Sequence, residues 1–574
     1  MARYTSPLAV SAFTLMLLAS VSCRKQVPAA DMVIRRARIY TMDKDHPWGE
    51  AVAVKDGRIL WVGSEKEADR YIQPKTEVVD AMGRMLLPGF IDSHLHVRLG
   101  SDPDVLRFAG GMTLRNLDGI KKQIREFARS RPDLKWIEGE GWLYSPDGTL
   151  PKARDLEGLT GGRPAFLVAY DYHTVWMNKE ALHELGITRG TDHVAFAERI
   201  ETDPATQEPT GILTGFGSTG LSGEAEADLR RHIPSHSPER LYRRVKTNIE
   251  LAVRYGITTV VDPQSFLEDL EIYSKLRDGG ALPARLQVAM FFRRGAPDNL
   301  LEEYDTARRK FADDRLRVSA IKLYIDDVIE AHTAAMLQPY SDRPDLSGQT
   351  DWPPDEFNDI VAKIDRMKFQ IFIHSIGDRG IRTSLDALEH AREVNGVRDS
   401  RHQLVHIECL SPQDIPRFKK LAVVACMQPR HCAPDITEQW AAAVGPGRSK
   451  YAWAFRSLRD SGATLAFASD WNVAEMDPLI GIYTALTRRG LDGRPKGGWI
   501  PDQTIDLDTA LRAYTINGAY ANFVDQNRGS VTPEKYGDLI MLSGNLFEMT
   551  PEQIKSAHVV ATWVGGKQVY RAKP

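Results

Sequence analysis

Hydrophobic positions change their period along the chain. Near the N-terminus they come as short runs, Met32-Val33-Ile34, Ala51 to Val54 and Ile59 to Val62, with Lys55-Asp56-Gly57-Arg58 between the last two. Asp-Gly between apolar runs is a strong hairpin signal, because both residues tolerate the left-handed backbone of a two-residue turn. The far end repeats the pattern with Asp538 to Leu542, Val559 to Val564, Gly565-Gly566 and Lys567 to Tyr570. Both termini are therefore read as strands that pair into one sheet domain.

Between them, strands alternate with amphipathic helices. Ser237-Pro238 suits a helix N-cap and first position, Leu241, Val245, Ile249 and Ala252 keep helical spacing, and Gly256 stops the helix before a strand from Ile257 to Val261. Further strands are predicted at residues 286–292, 318–325, 369–373, 403–407, 422–427 and 464–468, with helical spacing at Phe357, Ile360, Val361, Ile364 and Met367, and at Ile381, Leu385 and Leu388. Many successive βα units in one stretch argue for an α/β (β/α)8 TIM-like barrel over an open doubly wound sheet, and no Gly-rich fingerprint follows the first strand. The barrel is placed at residues 88–525, and residues of about 100–235, which fit no single βα unit, are read as an insertion capping its mouth.

Composition narrows the function classes. The chain has 574 residues, 42% hydrophobic and 26% charged, which suits a large packed core. Its 74 basic and 77 acidic residues leave a net charge of −3, and so balanced a charge favours neither nucleic acid nor an anionic membrane. Four cysteines cannot form a disulfide framework at this length. Arg3 and the apolar stretch from Leu8 to Val21 read as a signal peptide over residues 1–23, and Ser20-Val21-Ser22-Cys23 is similar to a lipoprotein cleavage box, with Ser20 where Leu is usual. The expectation is an exported protein, periplasmic or held to a membrane only through a lipid on Cys23. Cys409, Cys426 and Cys432 then remain, and are read as buried small hydrophobes.

Candidate chemistry falls at the strand ends, where barrels carry their sites. Phe90-Ile91-Asp92-Ser93-His94-Leu95-His96 ends an apolar run in His-x-His, a pair suited to a divalent metal. His374 ends one strand, His406 another and Asp470 a third, while Lys322 lies inside Ala320 to Tyr324, where an unpaired ammonium is costly.

This ordered set, His94, His96, Lys322, His374, His406 and Asp470, resembles the metal site of the amidohydrolase superfamily. Residues 89–96, Lys322 to Asp326, His374-Ser375-Ile376-Gly377-Asp378, Gln428-Pro429 and Ser469 to Val473 are similar to the amidohydrolase-3 (YtcJ-like) group, which includes N-substituted formamide deformylase. The resemblance spans residues 32–570 and implies that the terminal strands, residues 31–87 and 526–574, form a small composite β-sandwich. Two departures stand out: Val405 where the group commonly has Glu, and Asp326-Asp327 where Lys-x-x-x-Asp-Gly is usual.

The resemblance implies one or two divalent metals per chain. His94, His96 and Asp470 would hold the first, and His374 and His406 the second, bridged by a carboxylated Lys322. The bland alternative is an ordinary Lys322 paired with a carboxylate such as Asp326, leaving one metal. Zinc is favoured by the His-rich set, although Mn, Co, Ni or Fe suits the same ligands. Metal-bound hydroxide would attack a carbonyl while Asp470 takes its proton and passes it to the leaving nitrogen. His173, His431, Tyr324 and Trp471 are candidate substrate contacts, with Trp142 and Tyr144 as further aromatic walls. The expected function is C–N cleavage in an amide-like small molecule, an N-substituted formamide or N-acyl compound. An esterase, lactonase or cyclic amidase on the same site is the alternative, and a non-catalytic ligand-binding lipoprotein ranks below both. A homo-oligomer is expected by family analogy.

Overall fold

The computed structural model of the protein describes residues 1, 28–108, 117–145, 149–216, 228–229, 231–297 and 299–573. The body of the expected signal segment, with Cys23, lies outside the described residues. Eight strands follow one another around a single parallel sheet: β1 (Phe90–Asp92), β2 (Ile257–Ser265), β3 (Arg285–Phe291), β4 (Leu316–Tyr324), β5 (Gln370–Ser375), β6 (Gln403–His406), β7 (Val424–Met427) and β8 (Thr464–Phe467). Their register runs through pairs such as Lys322 with Phe372, Ser375 with His406 and Met427 with Phe467.

The seam between β8 and β1 is bridged just beyond the strand ends. Ser93 N donates to Phe467 O at 3.3 Å and Asp470 N to His94 O at 2.8 Å. The buried Asp92 carboxylate accepts from Ser469 N at 3.1 Å and from His94 N at 3.2 Å, so one side chain ties together the two segments that carry His94 and Asp470.

Strand alternation produces two apolar layers. Val261, Ala289, Ala320, Phe372, Val405, Cys426 and Ala468 form one small buried cluster, a layer filling the barrel interior as barrels of this size require. The opposite faces pack under the helices α1 (Pro238–Arg254), α2 (Asp269–Asp278), α3 (Leu300–Lys310), α4 (Pro354–Arg366), α5 (Asp378–Asn395), α6 (Ile415–Leu421) and α7 (Phe455–Ser461). In α1, Leu241, Val245, Ile249 and Ala252 are all buried. Ser237 occupies the N-cap position without a side-chain cap bond, and Gly256 turns the chain into β2 at φ +78°.

The terminal strands share one sheet. Leu539–Leu542 pairs antiparallel with Met85–Pro88, in a six-stranded sheet that also holds Arg38–Tyr40, Trp48–Gly49, Val559–Val564 and Lys567–Arg571. A four-stranded sheet made of Met32–Arg35, Ala51–Lys55, Arg58–Gly63 and Glu77–Asp80 contributes to the same core, in which Ile34, Val52 and Val54 meet Ile39, Leu539 and Trp563. The Asp56-Gly57 and Gly565-Gly566 turns each place both residues at positive φ, as a two-residue hairpin of this type requires.

The insertion carries a core of its own. Its six-stranded mixed sheet runs in the order Arg199–Thr202, Pro209–Thr214, Thr174–Met177, Ala165–Ala169, Ile137–Trp142 and Leu106–Arg107. That core also takes in Phe266, Phe291, Tyr324 and Val473 from the barrel, so the insertion is packed over the barrel mouth. Cys409, Cys426 and Cys432 are free thiols in the interior. Among the described residues no helix is long and apolar enough to cross a membrane.

Candidate metal centre

Lys322 and His374 lie two residues beyond the interior-layer residues Ala320 and Phe372 on the same strands, so alternation turns both upward along the barrel axis. His406 reaches the centre differently. Val405 occupies the interior layer, so plain alternation would turn His406 outward. Left-handed backbone at His406 (φ +76°) and Ile407 (φ +52°) swings it back over the mouth instead. That conformation is rare for a β-branched residue and, where it is held, tends to mark a functional site. Asp470, also at positive φ (+56°), closes the ring from β8.

Ligand atoms of His94, His406 and Asp470 all lie within 4.8 Å of one another. Asp470 Oδ1 stands 3.4 Å from His94 Nε2 and 3.2 Å from His96 Nε2, and Asp470 Oδ2 stands 3.8 Å from His406 Nδ1. His374 sits beside this trio, its ring 4.5 Å from that of His406 and stacked on Tyr324 at 4.6 Å. A second trio, His406, Glu408 and His431, adjoins the first. Glu408 was not singled out from the sequence; the His-x-Glu step at the end of β6 was its only local sign.

The electrostatics suit a cation held by neutral imidazoles and an ionised carboxylate. Burial holds His94, His374 and His406 well below the ordinary imidazole value. Burial alone would raise Asp470, but the neighbouring His94, His96 and His406 hold it well below the usual carboxylate range. Lys322, 0% exposed, is brought down to about 8 by burial, partly opposed by Asp470. Its Nζ has no hydrogen-bond partner, nor do His94 Nδ1 and His431 Nε2. Buried polar atoms left without partners are costly; Asp470 Oδ1 is itself one of them, with His94 Nε2 and His96 Nε2 at 3.4 and 3.2 Å, and His431 Nε2 lies 3.7 Å from Asp470 Oδ2, an arrangement that fits a divalent metal. Gln428 Oε1 lies 3.0 Å from His406 Nδ1 and so fixes the direction of that ring.

The two acids of β4's loop divide the work. Asp326 accepts from Ala335 N (3.0 Å), Ile376 N (3.0 Å) and Gly377 N (2.8 Å), and so stitches the segment after β4 to the turn between β5 and α5. It is committed to backbone and does not pair with Lys322. Asp327 instead pairs with His173 of the insertion. Burial would lower His173, but Asp327 raises it to about 9, so the imidazole is cationic at neutral pH. The His-Ser-Ile-Gly-Asp run thus supplies one candidate ligand and a frame for it, with Asp378 Oδ1 also accepting from Leu337 N at 2.7 Å.

A cavity opens above these groups, lined by His96, His374, His406 and Asp470 and, on its upper walls, by His173, His431 and Tyr324. Tyr324 Oη donates to Gln264 Oε1 at 2.6 Å. Trp471 does not line the cavity: its indole Nε1 donates to Asn248 at 3.1 Å and Arg107 lies over its ring at 4.4 Å. Trp142 and Tyr144 likewise lie in the insertion core, Tyr144 Oη donating to Asp171 at 2.8 Å.

An eight-stranded barrel with imidazoles and a carboxylate gathered at its strand ends defines a metal-dependent barrel hydrolase. The amidohydrolase family model matches residues 77–570, and the chain belongs to that family and is a hydrolase acting on carbon–nitrogen bonds. The chain is 30% identical over 560 residues to the protein LONG AFTER FAR-RED 3 of Arabidopsis thaliana, covering 94% of this chain and 92% of the relative. It is 26% identical over 551 residues to N-substituted formamide deformylase of Arthrobacter pascens, covering 93% and 97%. A metal-dependent hydrolase of Pyrococcus horikoshii shares the fold with a TM-score of 0.69 at 22% identity, over 91% of this chain and 98% of that one.

Proposed function

We propose that the protein is an exported amidohydrolase that cleaves the C–N bond of an N-substituted formamide or N-acyl compound. The observation that carries this reading is the convergence of His94, His406 and Asp470, with buried polar atoms lacking hydrogen bonds around them, beside a cavity that His406 and Asp470 line. A divalent metal held there, zinc by ligand type, would supply Lewis acidity toward a carbonyl and bring the pKa of water to about 7. The chain's own residues do the rest. Asp470, kept ionised by its histidine neighbours, accepts the proton of the attacking water and returns it to the leaving nitrogen. Tyr324 and His374, stacked at 4.6 Å, form a wall that orients the acyl group. The insertion covers the mouth and excludes water. Lys322, if it adds carbon dioxide as a neutral amine with formation of an N–C bond and release of a proton, would offer an anionic oxygen ligand to a second divalent metal; its burial and its Nζ without a hydrogen-bond partner support this. Export rests on the apolar stretch from Leu8 to Val21.

The test is hydrolysis of a panel of N-formyl and N-acetyl amines, with matched esters and lactones, by protein before chelation, after it, and after zinc is restored. The reading expects amide cleavage that is lost with the metal, recovers with it, and is absent in Asp470→Asn. Cleavage that survives chelation, or an Asp470→Asn variant as active as the parent, would overturn it.

A further inference from the structure

Asp470 presents its two oxygens to different imidazoles. Oδ1 lies 3.4 Å from His94 Nε2 and 3.2 Å from His96 Nε2, whereas Oδ2 lies 3.8 Å from His406 Nδ1 and 3.7 Å from His431 Nε2. The first pair is the His-x-His step after β1. The second pair comes from the end of β6 and from the short helical turn Pro429–Cys432 beyond β7, and it has a carboxylate of its own. One ligand atom each of His406, Glu408 and His431 lie within 4.8 Å of one another, and the three side chains line the metal cavity at only 5, 6 and 8% exposure.

These groups are spaced as ligands and not as a hydrogen-bonded network. Glu408 Oε2 accepts from Trp440 Nε1 at 2.9 Å, the kind of outer bond that orients a coordinating carboxylate, while Oε1 faces His431 Nδ1 at 3.8 Å. His431 Nε2 has no hydrogen-bond partner among the described residues. Separations of 3.7 and 3.8 Å are too long for hydrogen bonds, yet they come within about 0.4 Å of the roughly 3.4 Å between ligands held tetrahedrally at about 2.1 Å from a metal. The frame is rigid. Arg430, beside His431, is buried between Asp435 at 2.6 Å and Glu475 at 2.7 Å, and Gln428, which opens the same turn, meets His406 Nδ1 at 3.0 Å. Trp453 N donates to Glu408 O at 2.9 Å, so the backbone that carries the carboxylate is fixed as well.

We propose that His406, Glu408 and His431 form a second divalent-metal position, next to a first held by His94, His96 and Asp470, with Asp470 Oδ2 facing the second. Two imidazoles and one carboxylate are a set that suits zinc and leaves it open toward the cavity. The position draws its negative ligand from Glu408 and so does not depend on a carbamate at Lys322. A metal there supplies a further Lewis acid on the cavity wall. The inference rests on the metal-dependent reading of the centre and is independent of the substrate proposed for it.

The test strips the full-length protein with a chelator, dialyses it against excess zinc, removes loosely held metal and counts zinc per chain by elemental analysis, for the parent and for Glu408→Gln, His431→Asn, Lys322→Ala and Glu330→Gln. The expected result is two zinc ions in the parent and one in Glu408→Gln and in His431→Asn, with the affinity for the lost ion down by at least about a hundredfold in chelator competition. Glu330→Gln, at a carboxylate that lines the same cavity outside the trio, keeps both. Glutamine at 408 can still accept from Trp440, and melting curves check that each variant folds; if His431→Asn does not, Glu408→Gln decides alone. Two ions retained in Glu408→Gln, or a second ion lost in Lys322→Ala and kept in Glu408→Gln, would overturn the proposal and assign that ion elsewhere. A parent with one ion overturns it while the first centre and the amidohydrolase reading stand, and a parent with none overturns both.

Discussion

Gly377→Ala is the substitution whose cost the structure defines most closely. Gly377 has φ −76° and ψ 154°, a conformation open to alanine, so no backbone strain enters. A Cβ there would lie 2.1 Å from Ala335 O and 2.7 Å from Ala335 C, where ordinary contact begins at 3.4 Å, so two stretches of backbone must part by about 1.3 Å. The same two stretches are joined by the Asp326 bond to Gly377 N at 2.8 Å and by Arg379 N to Ala335 O at 3.0 Å. Overpacking costs about 1–3 kcal/mol and each buried donor left unsatisfied about 1–3 kcal/mol, so a loss of about 3–5 kcal/mol is expected. That is a large part of a typical stability of about 5–15 kcal/mol. Chemical denaturation of parent and variant measures it, with Gly447→Ala, where the added Cβ meets nothing within 4 Å, as the control. His374 lies three residues upstream, so metal affinity should fall with stability. A Gly377→Ala midpoint indistinguishable from that of Gly447→Ala would refute the frame assigned to this turn.

Gln428→Leu frees the ring of His406 and should weaken metal binding by about 10–100-fold in a chelator competition; unchanged affinity would remove Gln428 from the centre. His173, raised from 6.5 to about 9, adds stability that is present in full below about pH 6.5 and is lost as pH rises through about 9. That contribution is about 3 kcal/mol, and Asp327→Asn should abolish this part of the pH dependence in unfolding measurements between pH 6 and 10. Trp471→Phe should cost about 1 kcal/mol through the lost bond to Asn248 and leave KM unchanged, whereas a raised KM would place the indole in contact with substrate.

Much of the barrel was legible because buried parallel strands read as apolar runs whose ends are marked by polar residues. The strand predicted at residues 403–407 appears as Gln403–His406, and that predicted at 464–468 as Thr464–Phe467. What stayed hidden depends on contacts far apart in sequence. The insertion's six-stranded sheet includes a two-residue strand, Leu106–Arg107, too short to show a period. The roles of Asp92 and Asp326 are bonds to backbone across the barrel seam and across the segment after β4, which no spacing announces. His406 is the instructive residue: alternation puts Val405 and His406 on opposite faces and Val405 fills the interior, so it takes two left-handed residues to bring His406 to the centre. Trp471 shows the limit from the other side, since its neighbour Asp470 is at the centre while its own ring turns away to Asn248.

The central claim is that the His94–His406–Asp470 centre holds a divalent metal that amide hydrolysis requires. Elemental analysis of protein lacking residues 1–23, beside Asp470→Ala and Lys322→Ala variants, tests it most directly. The account predicts one to two metals in the parent, most of the metal and all of the amide hydrolysis lost in Asp470→Ala, and clearly less metal in Lys322→Ala if the lysine bridges a pair. A parent without metal even after supplementation, or an Asp470→Ala variant with full metal content, would contradict it.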